Sequence, residues 1–187
     1  MKRLWLILFV IIGCSKEPIN IETTLVERDG VFYTKDTNKP YSGPAFSIYD
    51  DGKKNEKTTL KDGKLDGLTT GWYKNGQKKS EGTYKDGKED GLITVWYESG
   101  QKLNEFTMKD GKFEGLATMW HQNGQKMSKV MMKDDKLDGS YITWYENGQK
   151  NVETTYKDGK KDGLYTIWYE NGQKIAERTY KDGIEIE

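Results

Sequence analysis

The sequence has few of the residues, such as cysteine and histidine, on which many enzyme sites and disulfide-bonded folds depend. It contains one cysteine and one histidine in 187 residues, so thiol and imidazole groups have no partner for a metal or nucleophile site. Its long apolar run, Leu4 to Ile12, is shorter than the roughly 20 residues that span a bilayer. The charges of the 30 basic and 30 acidic residues cancel, and a formal net charge of zero argues against a nucleic-acid partner. No enzyme activity and no cofactor are expected.

The first residues, MKRLWLILFVIIGCSKEP, have the layout of an export signal, in which a charged start precedes a short apolar core. The tetrad that ends at Cys14 resembles the lipobox of bacterial lipoproteins. That resemblance implies a signal peptide over 1–13, diacylglycerol on the Cys14 thiol, and a lipidated cysteine with a polar tether over 14–24. An ordinary signal with an incidental cysteine is the alternative. Because several acyl chains anchor far more firmly than one, we expect a lipid-anchored protein outside the cytoplasm, in a bacterial cell envelope, with the membrane as a partner.

The rest of the chain repeats itself with a period of 24 residues. A tryptophan begins each WYENGQK-like heptad, and a Lys-Asp-Gly triplet with one imperfect copy, Lys133-Asp134-Asp135, follows at the same interval. Six units begin at about residue 40, the first of them degenerate, within a repeat domain over 25–187. Fixed self-similarity of this length is typical of repeat architectures. The aligned tryptophans are Trp72, Trp96, Trp120, Trp144 and Trp168.

The residue pattern of each unit predicts a β-hairpin. Asn-Gly and Asp-Gly dipeptides both predict two-residue type I′ turns, and the segments between them are rich in Thr, Tyr, Trp, Val and Ile. The two segments of a unit differ by two residues, and the recurrent glycine of a second Asp-Gly step, such as Gly67 or Gly91, is suited to a bulge that absorbs this difference. We therefore predict an all-β fold, an elongated array of antiparallel hairpins in one mostly single-layered twisted sheet.

The ends of the array differ from its middle. A starting hairpin over 25–39, turning at Asp29-Gly30, is expected to cover the first edge of the sheet. At the other end Glu185 and Glu187 are expected to protect the open edge strand with charge. Stability is expected to come from contacts between neighbouring hairpins and not from a central core.

Units such as GLYTIWYENGQKIAERTYKDG resemble the bacterial variant of the MORN (membrane occupation and recognition nexus) repeat. Whole proteins of this kind are grouped with antitoxins of the YwqK type. The resemblance covers about three quarters of the chain and implies β-hairpin repeats with an interaction role. An antitoxin or immunity role against a toxin is one function that it suggests.

Three groups of residues resemble catalytic or metal sites but are better explained by the scaffold. His121 stands where the other units have the tyrosine after the tryptophan, and it has no second ligand. The two aspartates of KDGKLDG lack the alternating oxygens and distal glutamate of a calcium loop. The periodic carboxylates of Glu81, Glu105, Glu153 and Glu177 are explained by charge pairing. We predict neither a catalytic residue nor a metal ligand.

Two functions remain open for the aromatic residues. The tryptophans are expected to pack between repeats, against a leucine or the residue across the turn, although in choline-binding modules such hairpin aromatics cage a cation and a similar face can stack sugars. The alternative function is therefore a carbohydrate- or choline-type binding module. The preferred function is a scaffold for a protein partner, with exposed tyrosines as its anchors. The predicted interaction residues are Tyr73, Tyr97, Tyr145 and Tyr169.

Overall fold

The structure is a computed structural model that describes residues 16–186. The predicted signal peptide and Cys14 lie outside the described residues. The described part consists of eighteen strands and one short helix, α1 (Ile21–Thr24). The strands are β1 (Ile19–Asn20), β2 (Leu25–Arg28), β3 (Val31–Thr34), β4 (Gly43–Ile48), β5 (Lys54–Lys61), β6 (Lys64–Leu65), β7 (Gly67–Trp72), β8 (Lys78–Lys85), β9 (Lys88–Trp96), β10 (Lys102–Lys109), β11 (Lys112–Trp120), β12 (Lys126–Lys133), β13 (Lys136–Trp144), β14 (Lys150–Lys157), β15 (Lys160–Lys161), β16 (Gly163–Trp168), β17 (Lys174–Lys181) and β18 (Ile184–Ile186).

Sixteen of the strands form one sheet in which strands adjacent in the chain pair antiparallel from β4 to β18. Strands β6 and β7, like β15 and β16, are two halves of one strand that is interrupted at an aspartate, Asp66 or Asp162. The predicted all-β array of consecutive hairpins is confirmed. Among the residues from 16 to 186, no helix has the length and hydrophobicity needed to cross a membrane.

The two turns of each unit are of different kinds. At the Asp-Gly turns both central residues have positive φ, 50° at Asp86 and 83° at Gly87, as type I′ geometry requires. At the Asn-Gly turns only the glycine does, so the prediction of type I′ is wrong there. The reason is that strand pairing ends at Trp72 and Lys78, which leaves a five-residue loop from Tyr73 to Gln77. Within this loop the Asn75 Oδ1 accepts the Gln77 N–H at 2.9 Å.

A bulge at the second Asp-Gly step absorbs the unequal lengths of the two strands. Between the pairs Gly82–Ile93 and Tyr84–Glu89, β9 advances four residues while β8 advances two. The extra residues include Asp90 and Gly91, and Gly91 has a φ of 120°. The predicted bulge is therefore confirmed. Because the surplus is even, every repeat presents the same residues on the same face.

The array begins with a small hydrophobic core. Leu25, Ala45 and Leu60 are almost completely buried, and they pack with Ile19, Ile21 and other partly buried residues. Ile19–Asn20 pairs parallel with β4 and forms the first edge of the sheet, and α1 follows at once. The prediction of a polar tether over 14–24 is therefore wrong from Ile19 onward, because two isoleucines in this segment gain burial. The starting hairpin forms a separate two-stranded sheet of β2 and β3 and does not pair with the edge.

The long sheet has two faces with different residues. The tryptophan face, as we name it, carries Leu68, Thr70 and Trp72 of β7 and their equivalents in later units. Across the strand boundary, Glu81 lies opposite Thr70, and Lys78 lies opposite Trp72. A one-residue bulge between Gly71 and Trp72 places Lys78, and not Lys79, opposite Trp72. The opposite face carries aromatic pairs such as Phe106 and Phe113, with ring centroids 5.1 Å apart.

Candidate interaction surface

The tyrosine after each tryptophan joins one repeat to the next. The Tyr73 hydroxyl donates to the Trp96 carbonyl at 2.7 Å, and Tyr97 and Tyr145 make the same bond, at 2.9 Å, to the tryptophan 23 residues ahead. Asn75 adds a second link, from its Nδ2 to the Glu98 carbonyl at 2.9 Å. Because each repeat is tied to the next through side chains as well as strand pairing, the turns at this edge form a continuous ladder.

These hydrogen bonds determine how exposed the predicted tyrosine anchors are. Tyr169, in the last unit, is 54% exposed, as predicted for all four. Tyr73, Tyr97 and Tyr145 are half-buried, so the prediction that they are exposed is wrong for these three. The reason is that their hydroxyls bond to a carbonyl of the following repeat, whereas among residues 16–186 no repeat follows Tyr169. A partner-binding role for the tyrosines stays a prediction.

Tyr97→Phe is expected to lower the free energy of unfolding by about 1 kcal/mol, because it removes one hydrogen bond to a backbone carbonyl between repeats. Tyr169→Phe is the matched control and should leave stability nearly unchanged, since no hydrogen bond of its hydroxyl is present among residues 16–186. Urea unfolding followed by circular dichroism measures both. Equal losses for the two variants would show that the hydrogen bond between repeats is not the cause.

His121 occupies the tyrosine position and keeps the link. Its Nε2 lies 3.2 Å from the Trp144 carbonyl, while its Nδ1 lies 3.9 Å from an Oε1 of Glu146. The imidazole is only 12% exposed. His121 therefore replaces the tyrosine without breaking the row of hydrogen bonds that joins the repeats. Within residues 16–186 no group of three His, Cys, Asp or Glu side chains is close enough to hold a metal.

The opposite edge of the sheet carries a second ladder. The Gly87 N–H of one turn donates to the Leu65 carbonyl of the preceding unit at 2.8 Å, and the Asp158 N–H donates to an Asp138 carboxylate oxygen at 3.0 Å. The second aspartate of the KDGKLDG pattern therefore binds a turn amide of the next repeat, which is a structural use of the spacing that resembled a calcium loop. At Asp162 the hydrogen bond from Lys181 lowers the pKa of the carboxyl.

The imperfect triplet shows how much the turn depends on its glycine. Asp135 stands in the glycine position with a φ of 64°, and its N–H reaches the Phe113 carbonyl at a longer 3.2 Å. Its carboxylate compensates by accepting the Phe113 N–H at 2.8 Å. The substitution is tolerated because aspartate adopts positive φ more readily than most residues and adds a hydrogen bond of its own.

Lysine side chains cover four of the tryptophan rings, those of Trp72, Trp96, Trp120 and Trp168. Lys78 of one unit lies over the Trp96 ring of the next, at 5.6 Å from its centroid, and is held by Glu81 at 2.6 Å. The same arrangement recurs with Lys102 and Lys150 over Trp120 and Trp168. Each of these tryptophans thus contacts a lysine side chain of the preceding repeat, a cover that the sequence analysis did not predict.

A comparison with protein-family models identifies these units. The model described as the MORN repeat variant matches residues 65–86, 113–134, 137–158 and 161–182. Four of the 24-residue units are MORN repeats of this variant. The family model does not match the unit between the first two matches, but that unit is built in the same way from β9 and β10 and makes equivalent contacts through Tyr97 and Lys102. A search of curated proteins finds no match to the chain.

The MORN sheet also exposes a row of leucines on its tryptophan face. Leu68, Leu92, Leu116 and Leu164 follow the bulge glycine of their units at the 24-residue period, and each is between 40% and 55% exposed. In the fifth unit the equivalent residue is Ser140. The sequence predicted leucines that pack against the tryptophans, and it did not predict that these leucines are exposed. The recurrence of an apolar residue directly after the bulge glycine was the available signal.

A half-buried carboxylate lies at the start of the MORN array. Glu56 borders an apolar groove of about 340 Å³ with Pro18, Phe46 and Ile48. Burial raises the pKa of its carboxyl above the ordinary value. Because the charged form is disfavoured in the folded protein, stability falls as the pH rises from the unfolded-state pKa through the folded-state pKa.

Glu56→Gln is therefore expected to raise the melting temperature at about pH 7, by an amount that shrinks towards about pH 4. Thermal unfolding at a series of pH values tests this. The exposed Glu98→Gln serves as control and should show no such trend. A lower melting temperature for Glu56→Gln at neutral pH would contradict the expectation.

Proposed function

We propose that this MORN-repeat protein is a scaffold that presents one face of its sheet to a protein partner. In the same proposal, a lipid on Cys14 holds the chain at a membrane surface outside the cytoplasm, as in bacterial lipoproteins. The observation that carries the interaction role is the exposed leucine row on a sheet tied together along both edges. Regularly spaced exposed apolar side chains on a rigid support are typical of a protein-binding surface.

The leucine row can be tested without unfolding the protein. Leu68 and Leu92 are 55% and 54% exposed, and Ser140 shows that the chain accepts serine at this position. In native membranes, chemical crosslinking followed by purification would capture a partner. We expect Leu68→Ser combined with Leu92→Ser to reduce the captured partner about fivefold, because exposed apolar anchors carry much of the binding energy.

The control combines Ile175→Ser with Ile184→Ser, two exposed apolar residues outside the row. This variant should retain the partner. Tyr169→Ser tests the tyrosine hypothesis separately, because Tyr169 is exposed and is followed by no further tyrosine link. Undiminished capture by the leucine variant would disprove the role of the row. A chain that stays in the soluble fraction after export would disprove the anchor.

The alternative functions have less support. At Trp72, Trp96, Trp120 and Trp168 a lysine amine already lies over the ring, in the place that a choline or sugar would take. The protein scaffold is therefore favoured over a carbohydrate- or choline-binding module. An antitoxin or immunity role remains a separate hypothesis, and protection of cells that produce a candidate toxin would test it.

A further inference from the structure

Two units break the pairing of lysine and glutamate that covers the tryptophans. Glu81, Glu105, Glu153 and Glu177 each hold the lysine three residues before them. At the equivalent position, the first unit has Lys57 and the fourth has Lys129. Each of these two units therefore presents two lysines where the others present a neutral pair.

Within residues 16–186 no carboxylate pairs with any of these four lysines, which are Lys54, Lys57, Lys126 and Lys129. Lys54 still lies over Trp72, at 5.9 Å from the ring centroid. For Trp144 no such contact with Lys126 is found among the described residues. Without this glutamate, Lys54 and Lys126 have no salt bridge within residues 16–186. At Trp144, no lysine amine lies over the ring among these residues either.

Both sites also have a surface groove. Lys54 and Trp72 border one of about 470 Å³ together with Gly76, and Lys126 and Trp144 border one of about 260 Å³ together with Gly148. Each groove lies between the tryptophan of one repeat and the turns on either side. A carboxylate placed there would meet a lysine amine and the edge of an indole ring.

We propose that the Trp72 and Trp144 grooves bind acidic side chains of the protein partner. A partner glutamate or aspartate would pair with Lys54 or Lys126, as Glu81 pairs with Lys78, and Lys57 and Lys129 add a second positive charge. This inference rests on the proposed scaffold function and names the chemistry of its partner. Charge complementarity of this kind sets the orientation and specificity of an interface.

The surroundings favour a protein segment over an acidic polysaccharide. Beside the Trp72 groove the same strand exposes Leu68, at 55%. Opposite Lys129 across the strand boundary stands Ile142, where other units have a threonine. Apolar contacts next to paired lysines suit a segment in which acidic and apolar side chains mix, whereas sugar acids offer polar groups on every side.

The spacing of the two grooves predicts the length of the bound segment. Trp72 ends β7 and Trp144 ends β13, six strand steps along the sheet. At the usual spacing between strands this is about 29 Å. An extended segment of about nine residues would span it. Two acidic positions at this separation would bind both grooves at once and gain affinity from their linkage.

Binding of a poly-L-glutamate peptide to the purified full chain provides the test. Calorimetry measures affinity, and indole N–H resonances report which tryptophans are touched. We expect Lys57→Glu combined with Lys129→Glu to weaken binding about tenfold, because it restores the internal pairs and repels the peptide. Folding should be kept, since these substitutions reproduce the residue of the other repeats. Lys61→Glu with Lys133→Glu has the same charge change at the opposite edge and should bind as the unaltered chain does.

Shifts confined mainly to the Trp72 and Trp144 resonances, together with the loss in the first variant alone, would support the proposal. If both variants weakened binding equally, net charge alone would explain the effect and the proposal would be overturned. So would binding to polygalacturonate or to phosphatidylglycerol vesicles without binding to poly-L-glutamate. If the native partner is still captured while poly-L-glutamate does not bind, this inference fails and the scaffold function stands.

Discussion

Leu60→Ala is expected to lower the free energy of unfolding by about 2–4 kcal/mol, because it leaves a cavity in the deepest part of the protein. Leu60 is 2% exposed and packs with Leu25 and Ala45 at the N-terminal end of the array. Truncation there removes contacts from the sheet and the starting hairpin at once. In a repeat array, where each unit contacts mainly its neighbours, loss of this terminal cluster should allow unfolding to begin at that end.

The matched control is Leu92→Ala, which removes the same atoms from a side chain that is 54% exposed. Its expected cost is below about 1 kcal/mol. Chemical unfolding gives the stabilities, and amide hydrogen exchange locates the change. For Leu60→Ala, exchange should accelerate first in β4 and β5, whereas equal losses in the two variants would show that the N-terminal cluster does not act as a core.

The repeat itself predicted the middle of the fold. Period, turn dipeptides and an even length difference define a hairpin array with constant faces, and each of these depends on local chemistry that recurs in every unit. The Asn-Gly turn was predicted wrongly because the dipeptide alone does not show where strand pairing ends. Tertiary context decides this, since Asn75 bonds both to its own loop and to Glu98 of the next repeat.

The N-terminal end was harder to predict because it has no second copy. Ile19 and Ile21 stand in a polar segment, and nothing near them in sequence reveals that β4 and Leu60 provide their burial. The lysine cover of four tryptophans was not predicted for a related reason. The two residues lie in different repeats, and the bulge between Gly71 and Trp72 places Lys78, and not Lys79, on the face where it covers Trp96. Such contacts depend on register, which a pattern of residue types leaves open.

Departures from the repeat carry the information about function. His121 and Asp135 depart from the pattern but keep the link between repeats, through His121 Nε2 and the Asp135 carboxylate. Lys57 and Lys129 depart from it and make no such replacement among the described residues. A substitution that keeps its structural bond maintains the scaffold, whereas one that leaves charges unpaired at the surface is available for a partner. This distinction leads to the two grooves.

Gly91→Ala is expected to cost about 2–3 kcal/mol, because the bulge glycine has a φ of 120°, a region that side chains with a Cβ rarely adopt. An added Cβ would also lie 3.4 Å from the Thr83 Cβ. Relief of this strain requires the bulge to rearrange, and the bulge is what absorbs the two surplus residues of the unit. The effect should therefore reach the pairing of β8 with β9 and of β9 with β10.

Gly115 supplies the internal control for this prediction. It occupies the same place in its unit, but its φ is 83° and no atom lies within 4 Å of an added Cβ. Gly115→Ala is expected to cost only about 1 kcal/mol, since alanine enters the left-handed region there without a clash. Urea unfolding compares the variants, and hydrogen exchange across β8 to β10 reports the pairing. Equal costs at Gly91 and Gly115 would mean that φ at the bulge does not govern stability, and the account of how unequal strands fit one sheet would fail.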